Sequence, residues 1–292
     1  MRELRNDLGQ TFGTKKAKKA IASLTENAIS PIKSAQGPNS TPRKIDAAAR
    51  LVLESMEGAT KAMATREELE AAINDAKPRP KANLAAENVG DVYTVESLIG
   101  LDIMKLVPVK EWQDSVKAKK EVITSSKFVA HRLLKVSTDV QRMRVLRYLL
   151  CLLDFFGASK PKGKAGRMVP RRDDLRNALT GIPEAVVENI RRKFSDGGIM
   201  LKKHVDLLIT HVCALALLVD NFEVDMFDLK EDLKLEIKEI SQYFHEIGSR
   251  IVAAGVNETK KLGLDKAAAA QHKFAKLKLP LDFPKAKFAR KG

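Results

Sequence analysis

The feature that most constrains the fold is a long, largely apolar helix at residues 204–220, HVDLLITHVCALALLVD. Its run from Val212 to Val219 is too short to cross a bilayer, so the segment must be buried inside a globular core. The residues C-terminal to this helix are equally restrictive. FEVDMF reads as a short extended piece and DLKEDL as a brief helix. EIKEISQYFHEIG then puts Ile237, Ile240, Phe244 and Ile247 on one helical face. SRIVAAG and the alternating KFAKLKLPLDFP read as two strands around the loop NETKKLGLDKAAAAQH. Helix, short strand, helix–turn–helix and two strands around a loop is winged-helix grammar.

The same order occurs once before, less clearly. Val140, Met143, Leu146, Leu150 and Leu153 recur at three- and four-residue intervals, as on a core-facing helix. The polar loop GASKPKGKAGR and the short apolar MVP come next. RRDDLRNAL reads as a short helix, Gly181 as a break, and Pro183 as the first position of a helix carrying Val186, Val187, Ile190 and Phe194. DGG stops that helix, and wing strands are poorly marked, because the chain passes almost directly into the next helix. The expected fold class is therefore mainly α with small β wings, a helical linker followed by a tandem winged-helix domain.

The first ninety residues have a different texture. Lys15 to Ala28 has helix-forming composition, and ISPIKSAQGPNSTP ends it. Ile45 to Met63 reads as a second helix, and Thr65 with Glu68 as a capping box opening a third through Ile73. These helices carry too little apolar surface for a core of their own. The expected division is a basic helical arm at 1–90, a first winged helix at 91–202, and a second with a basic tail at 203–292.

Chemistry-bearing motifs are few. GQTFGTKKAKKA, residues 9–20, crowds glycine, threonine and lysine together but fails as a phosphate-binding loop. That loop needs four residues between its glycines and Lys-Ser/Thr directly after the second. Gly9 and Gly13 are separated by three residues, and Thr14 follows. GASKPKGKAGR fails as well, with five residues between Gly157 and Gly163. His131, His204, His211, His245 and His272 are scattered without zinc-site spacing, and EVDMFDLKEDL lacks the glycine of a calcium loop, so it reads as a cap and solvated face. Cys151 and Cys213 sit in apolar runs and read as reduced core thiols of a cytosolic or nuclear protein. The first twenty residues lack the apolar stretch of a signal peptide. No catalytic residue, metal or cofactor is expected.

Charge supplies the positive indication. A net charge of +15 and a pI near 9.7 point to an acidic partner, most naturally nucleic acid, while 5% aromatics argue against base-stacking platforms. The expected DNA-binding residues are Lys15, Lys16, Lys18 and Lys19; Arg171 and Arg172; Arg191, Arg192 and Lys193; Lys202 and Lys203; Lys260 and Lys261; and Lys285, Lys287 and Arg290. Such clusters grip phosphates without reading sequence. The two recognition helices differ. The first ends in Arg191, Arg192 and Lys193, whereas the second sets Glu236, Glu239 and Glu246 against Lys238, and is expected to pack on protein or face solvent.

Several stretches together carry a family likeness: LRNDLGQTFGTKKAKKAIASLTENAI, FVAHRLLK, LALLVDNFEVDMFDLKEDLKL, FHEIGSRI and the closing KLKLPLDFPK. They resemble the RNA polymerase I-specific forty-nine-kilodalton subunit family over essentially the whole chain. The resemblance implies a tandem winged-helix domain similar to transcription factor IIE, preceded by a linker that helps span the polymerase cleft. It further implies non-specific binding of upstream DNA, association with polymerase I core subunits, and support of initiation and elongation on ribosomal DNA in the nucleolus. The family's N-terminal dimerisation domain, which pairs with a second polymerase I subunit, is not expected in this chain, which opens on the linker-like segment. Two other readings fit the same grammar: a winged-helix scaffold that packs protein on protein, and a linker-histone-like protein, whose long Lys/Ala/Pro tail is missing here.

Overall fold

The computed structural model describes residues 14–16, 18–19, 65–163, 166–255, 263, 265, 269 and 271–284. The chain divides into two units, Met1–Ala64 and Thr65–Gly292. In the first, Lys15, Lys16, Lys18 and Lys19 are helical and exposed. The expected helix at 45–63 lies outside the described residues.

The second unit opens on α1 (Arg66–Ala76). Its start is the capping box read from sequence. Thr65 Oγ1 accepts the Glu68 amide at 3.2 Å, and Glu68 Oε2 accepts the Thr65 amide at 2.8 Å. Such a cap contributes about 1 kcal/mol. The compact unit therefore begins at Thr65, well inside the segment whose composition reads as an arm.

Four short helices come next, which periodicity did not announce: α2 (Val95–Leu98), α3 (Leu101–Leu106), α4 (Lys110–Lys117) and α5 (Lys127–Leu133). Of these, α3 and α5 pack on α6 (Val140–Ala158), whose first turn is capped by Asp139 on the Gln141 and Arg142 amides. Met143, Leu146, Leu150 and Leu153 are buried as expected, and Val145, Tyr148, Leu149 and Leu152 join them. A helix buried nearly all round must be covered on several sides. Arg147 stacks 4.7 Å above the Trp112 ring of α4, which supplies one of those covers. Val140, in the first turn, remains exposed.

The first winged-helix unit continues through β1 (Lys160–Pro161), β2 (Arg167–Met168), α7 (Arg172–Ala178), α8 (Glu184–Phe194) and β3 (Ile199–Met200). Its sheet is antiparallel in the order β1-β2-β3. A hairpin thus precedes the helix–turn–helix, and only β3 comes after it. Two-residue strands carry no period of their own, which is why the sequence marks them poorly. Pro183 takes the N-cap position, one residue before the helix proper.

The second winged helix keeps the expected order: α9 (Lys202–Val219), β4 (Glu223–Asp225), α10 (Met226–Leu233), α11 (Ile237–Glu246), β5 (Ser249–Ala253) and β6 (Lys273–Leu277). The antiparallel sheet runs β4-β6-β5, with Ser249 opposite Leu277 and Ala253 opposite Lys273. FEVDMF is split between β4 and the start of α10, where Asp225 accepts the Phe227 amide at 3.1 Å. One hydrophobic cluster runs from Val92 to Leu277, with the packed pair α6 and α9 joining the two winged helices inside it. The fold is mainly α with two small antiparallel sheets. Cys151 and Cys213 are free and buried, and burial pushes the Cys151 thiol up to about 12. No described helix is long and apolar enough to cross a membrane.

Candidate nucleic-acid interface

The recognition helix of the first unit, α8, carries several of the expected basic side chains, but the structure commits much of that charge inside the chain. Glu188 on α8 accepts Arg172 from α7 at 3.1 Å and Arg191 from its own helix at 3.4 Å. Glu184 is paired with Arg176. The pairs of Arg172 and Arg176 join the two helices of the helix–turn–helix. Lys193 turns away from solvent: Nζ donates to the Leu98 carbonyl of α2 at 2.6 Å and lies 5.6 Å from the Phe194 ring centroid. Burial pulls its ammonium down to about 8. Helix α3 packs on α8 beside it. Arg192 alone of the three stays exposed with no partner among the described residues.

On α11 the acidic face has a different fate. Glu246 accepts Lys77 Nζ at 3.0 Å and lies 3.7 Å from the Arg79 guanidinium. Arg79 also donates to the Glu246 carbonyl at 2.7 Å, and Thr210 on α9 donates to the Pro78 carbonyl at 3.2 Å. Residues 77–79 form a strap across the end of this helix. The closing PLDFP fastens the strap from the other side. Arg79 lies 4.4 Å from the Phe283 ring centroid, and Lys77 donates to the Pro284 carbonyl at 3.3 Å. Phe283 also seats on Gly248, where an added Cβ would come within 3.2 Å of the ring. The end of the second recognition helix thus packs on protein, the chain's own.

The acidic run after α9 has a structural task. Asp232 on α10 accepts Ser126 Oγ at 2.5 Å and the Lys127 and Phe128 amides at 2.9 and 3.0 Å, capping α5 from outside that helix. Arg132 near the other end of α5 reaches Asp220 at 2.6 Å and Asp228 at 2.9 Å, and His131 meets Asp228 at 3.0 Å. FVAHRLLK and DNFEVDMFDLKEDL are therefore two halves of one joint. Burial raises the Asp220 carboxyl above its usual range despite Arg132. For Asp228 burial also pushes upward, but hydrogen bonds from His131 and Arg132 prevail and hold it below.

The histidines are likewise structural where the geometry is defined. His211 is buried edge-on to Phe194, with ring centroids 5.2 Å apart, and its Nδ1 lies 2.7 Å from the Leu207 carbonyl. His204 Nδ1 accepts the Leu201 amide at 3.2 Å, capping α9. His272 stacks on Phe227 and bonds Asp225 at 2.6 Å. Among the described residues no three His, Cys, Asp or Glu side chains are placed to hold a metal ion.

Of the expected DNA-binding residues, Arg171, Arg192, Lys202 and Lys203 are exposed with no partner among the described residues, as are the four lysines at 15–19. Lys260, Lys261, Lys285, Lys287 and Arg290 lie outside the described residues. Arg172, itself exposed, and Arg191 pair with Glu188, and Lys193 is bonded to the Leu98 carbonyl. Sequence reasoning passed over Lys160 and Lys162, exposed on the hairpin before α7; their only signal was the basic spacing KPKGK.

Two helix–turn–helix units on one core, each with a small antiparallel sheet and neither with a visible reaction centre among the described residues, define a tandem winged-helix protein. The chain belongs to the A49-like RNA polymerase I associated factor family, which it matches over residues 1–284. It is 29% identical over 303 residues to the DNA-directed RNA polymerase I subunit rpa49 of Schizosaccharomyces pombe, covering 99% of this chain and 67% of that protein. The Saccharomyces cerevisiae subunit RPA49 is 29% identical over 300 residues, covering 96% and 68%.

Proposed function

We propose that this chain is a non-catalytic subunit of nuclear RNA polymerase I that holds DNA by sequence-independent electrostatic contacts and supports initiation and elongation of ribosomal RNA transcription in the nucleolus. The observation that carries this reading is the family match across almost the whole chain, with two relatives that are themselves named polymerase I subunits. The charge of +15 and the cations Lys15, Lys16, Lys18, Lys19, Arg171, Arg192, Lys202 and Lys203, unpaired among the described residues, support DNA as the acidic partner.

A second reading has its own support. With Arg191 and Lys193 of α8 engaged within the chain and the end of α11 strapped by residues 77–79, Arg192 is the one cation of α8 left exposed and unpaired among the described residues. A winged-helix scaffold that touches polymerase and no DNA would look the same at those helices. Duplex binding measured against salt separates the two. Each phosphate contact contributes about −0.9 to the slope of log K against log salt. The DNA-holding reading predicts a slope of roughly −3 or steeper, alike for unrelated sequences. Absence of duplex binding at low salt, or a flat slope, supports the scaffold.

A further inference from the structure

The first winged helix has no wing hairpin after its recognition helix, yet it has a hairpin where the fold does not require one. Strand β1 pairs with β2 (Lys160 opposite Met168, Pro161 opposite Arg167), and β2 pairs with β3 (Arg167 opposite Met200). Lys162 donates its amide to the Gly166 carbonyl at 2.8 Å, extending the hairpin by one bond. Gly166 adopts φ +112, and a Cβ there would lie 2.1 Å from the Met200 carbonyl oxygen and 3.1 Å from Leu201 Cα. Only glycine lets the hairpin press so closely on the junction of β3 and α9.

The basic side chains of this hairpin sort by role. Arg167 turns inward, donating to Ser159 Oγ at 2.7 Å, the Ser159 carbonyl at 2.6 Å and the Phe156 carbonyl at 3.1 Å. It thereby caps the end of α6 and anchors the hairpin base. Lys160 and Lys162 are two residues apart on extended chain, so they share a face. Both are exposed and unpaired among the described residues. Lys202 and Lys203 begin α9 directly beyond the Gly166 contact, and they too are exposed and unpaired. Topology thus brings lysines from two distant segments to one end of a three-stranded sheet.

We infer that this sheet end is a displaced wing: Lys160, Lys162, Lys202 and Lys203 form a platform for the phosphodiester backbone of duplex DNA, and the first unit engages DNA there and not through α8. The inference rests on the DNA-holding reading and deepens it. Lysine suits the task, because a compact charge on a flexible stem meets phosphates without demanding bidentate geometry. The engagement of Arg191 and Lys193 within the chain, with Glu188 also taking Arg172 from α7, makes α8 the poorer surface.

The test uses the full chain, a short labelled duplex and a salt series. Lys160→Gln/Lys162→Gln and Lys202→Gln/Lys203→Gln should each make the slope shallower by about 1.8 and weaken binding on the order of tenfold at low salt. The quadruple variant should lose about twice that slope. All four positions are exposed, so unchanged circular dichroism and thermal midpoint are expected. Gly166→Val, which displaces the hairpin and keeps every charge, should weaken binding too. A steep parental slope with an unchanged quadruple variant overturns the platform and leaves the DNA-holding reading standing. A parent that binds no duplex overturns both. A quadruple variant that keeps duplex binding but loses co-purification with polymerase assigns the platform to an acidic protein surface and also overturns the inference.

Discussion

Replacing Arg132 with methionine is expected to lower the unfolding free energy by about 3–5 kcal/mol, the usual cost of removing one partner from a buried ion pair. Arg132 is only 5% exposed. Its guanidinium satisfies Asp220 and Asp228 at once, donates to the Phe128 carbonyl at 3.3 Å, and lies 3.6 Å from the Phe128 ring centroid. Methionine fills part of the volume but leaves two half-buried carboxyls without their shared cation. Asp220, already raised by burial, would then take up a proton at still higher pH. The neighbouring His131 is exposed, so His131→Gln should cost under about 1 kcal/mol. Urea denaturation of the two variants measures the difference. Asp220→Asn and Asp228→Asn added to the Arg132 variant should recover part of the loss. If Arg132→Met costs no more than His131→Gln, the joint between α5 and α10 is not what holds these segments together.

The second large effect is an acid-sensitive window set by His211. Burial, with Lys193 nearby, pulls its imidazole down to about 3, against an ordinary value of about 6.5. Between those two values the unfolded chain binds a proton that the folded chain refuses, so stability rises with pH across the window. The contribution is fully present above about pH 6.5 and is lost as pH falls towards 3. Each pH unit inside the window costs about 1.4 kcal/mol, or about 2 kcal/mol by pH 5. Glutamine at position 211 keeps an amide donor for the Leu207 carbonyl and cannot titrate. The stability of His211→Gln should therefore fall less than the parent's between pH 7 and pH 5, by about that amount. Parallel pH profiles for the two proteins would contradict a buried neutral histidine.

The parts of this fold legible in the sequence are those with a local period. The amphipathic α8 and α11 and the paired β5 and β6 declare themselves at three-to-four or two-residue intervals, and the capping box of α1 needs only Thr65 and Glu68. What stayed hidden depends on distant partners. Residues 77–79, part of a lysine- and proline-rich stretch, read as linker until Glu246 and Phe283 close over them. Arg192 and Lys193 are adjacent cations of equal appearance, and only the reach of Lys193 to the Leu98 carbonyl engages one, while the other is unpaired among the described residues. The candidate site shifted for the same reason. Net charge alone points to an acidic partner without choosing among the clusters, and what separates the clusters is which cations already have partners within the chain.

The central claim, a polymerase I subunit, is tested most directly by affinity purification of the tagged full chain from nuclear extract, with nuclease present to remove DNA bridging. Recovery of the large polymerase I core subunits in stable proportion to the tagged chain is the predicted result. Recovery of chromatin proteins that vanish on nuclease treatment, with no polymerase I subunit retained, would contradict it.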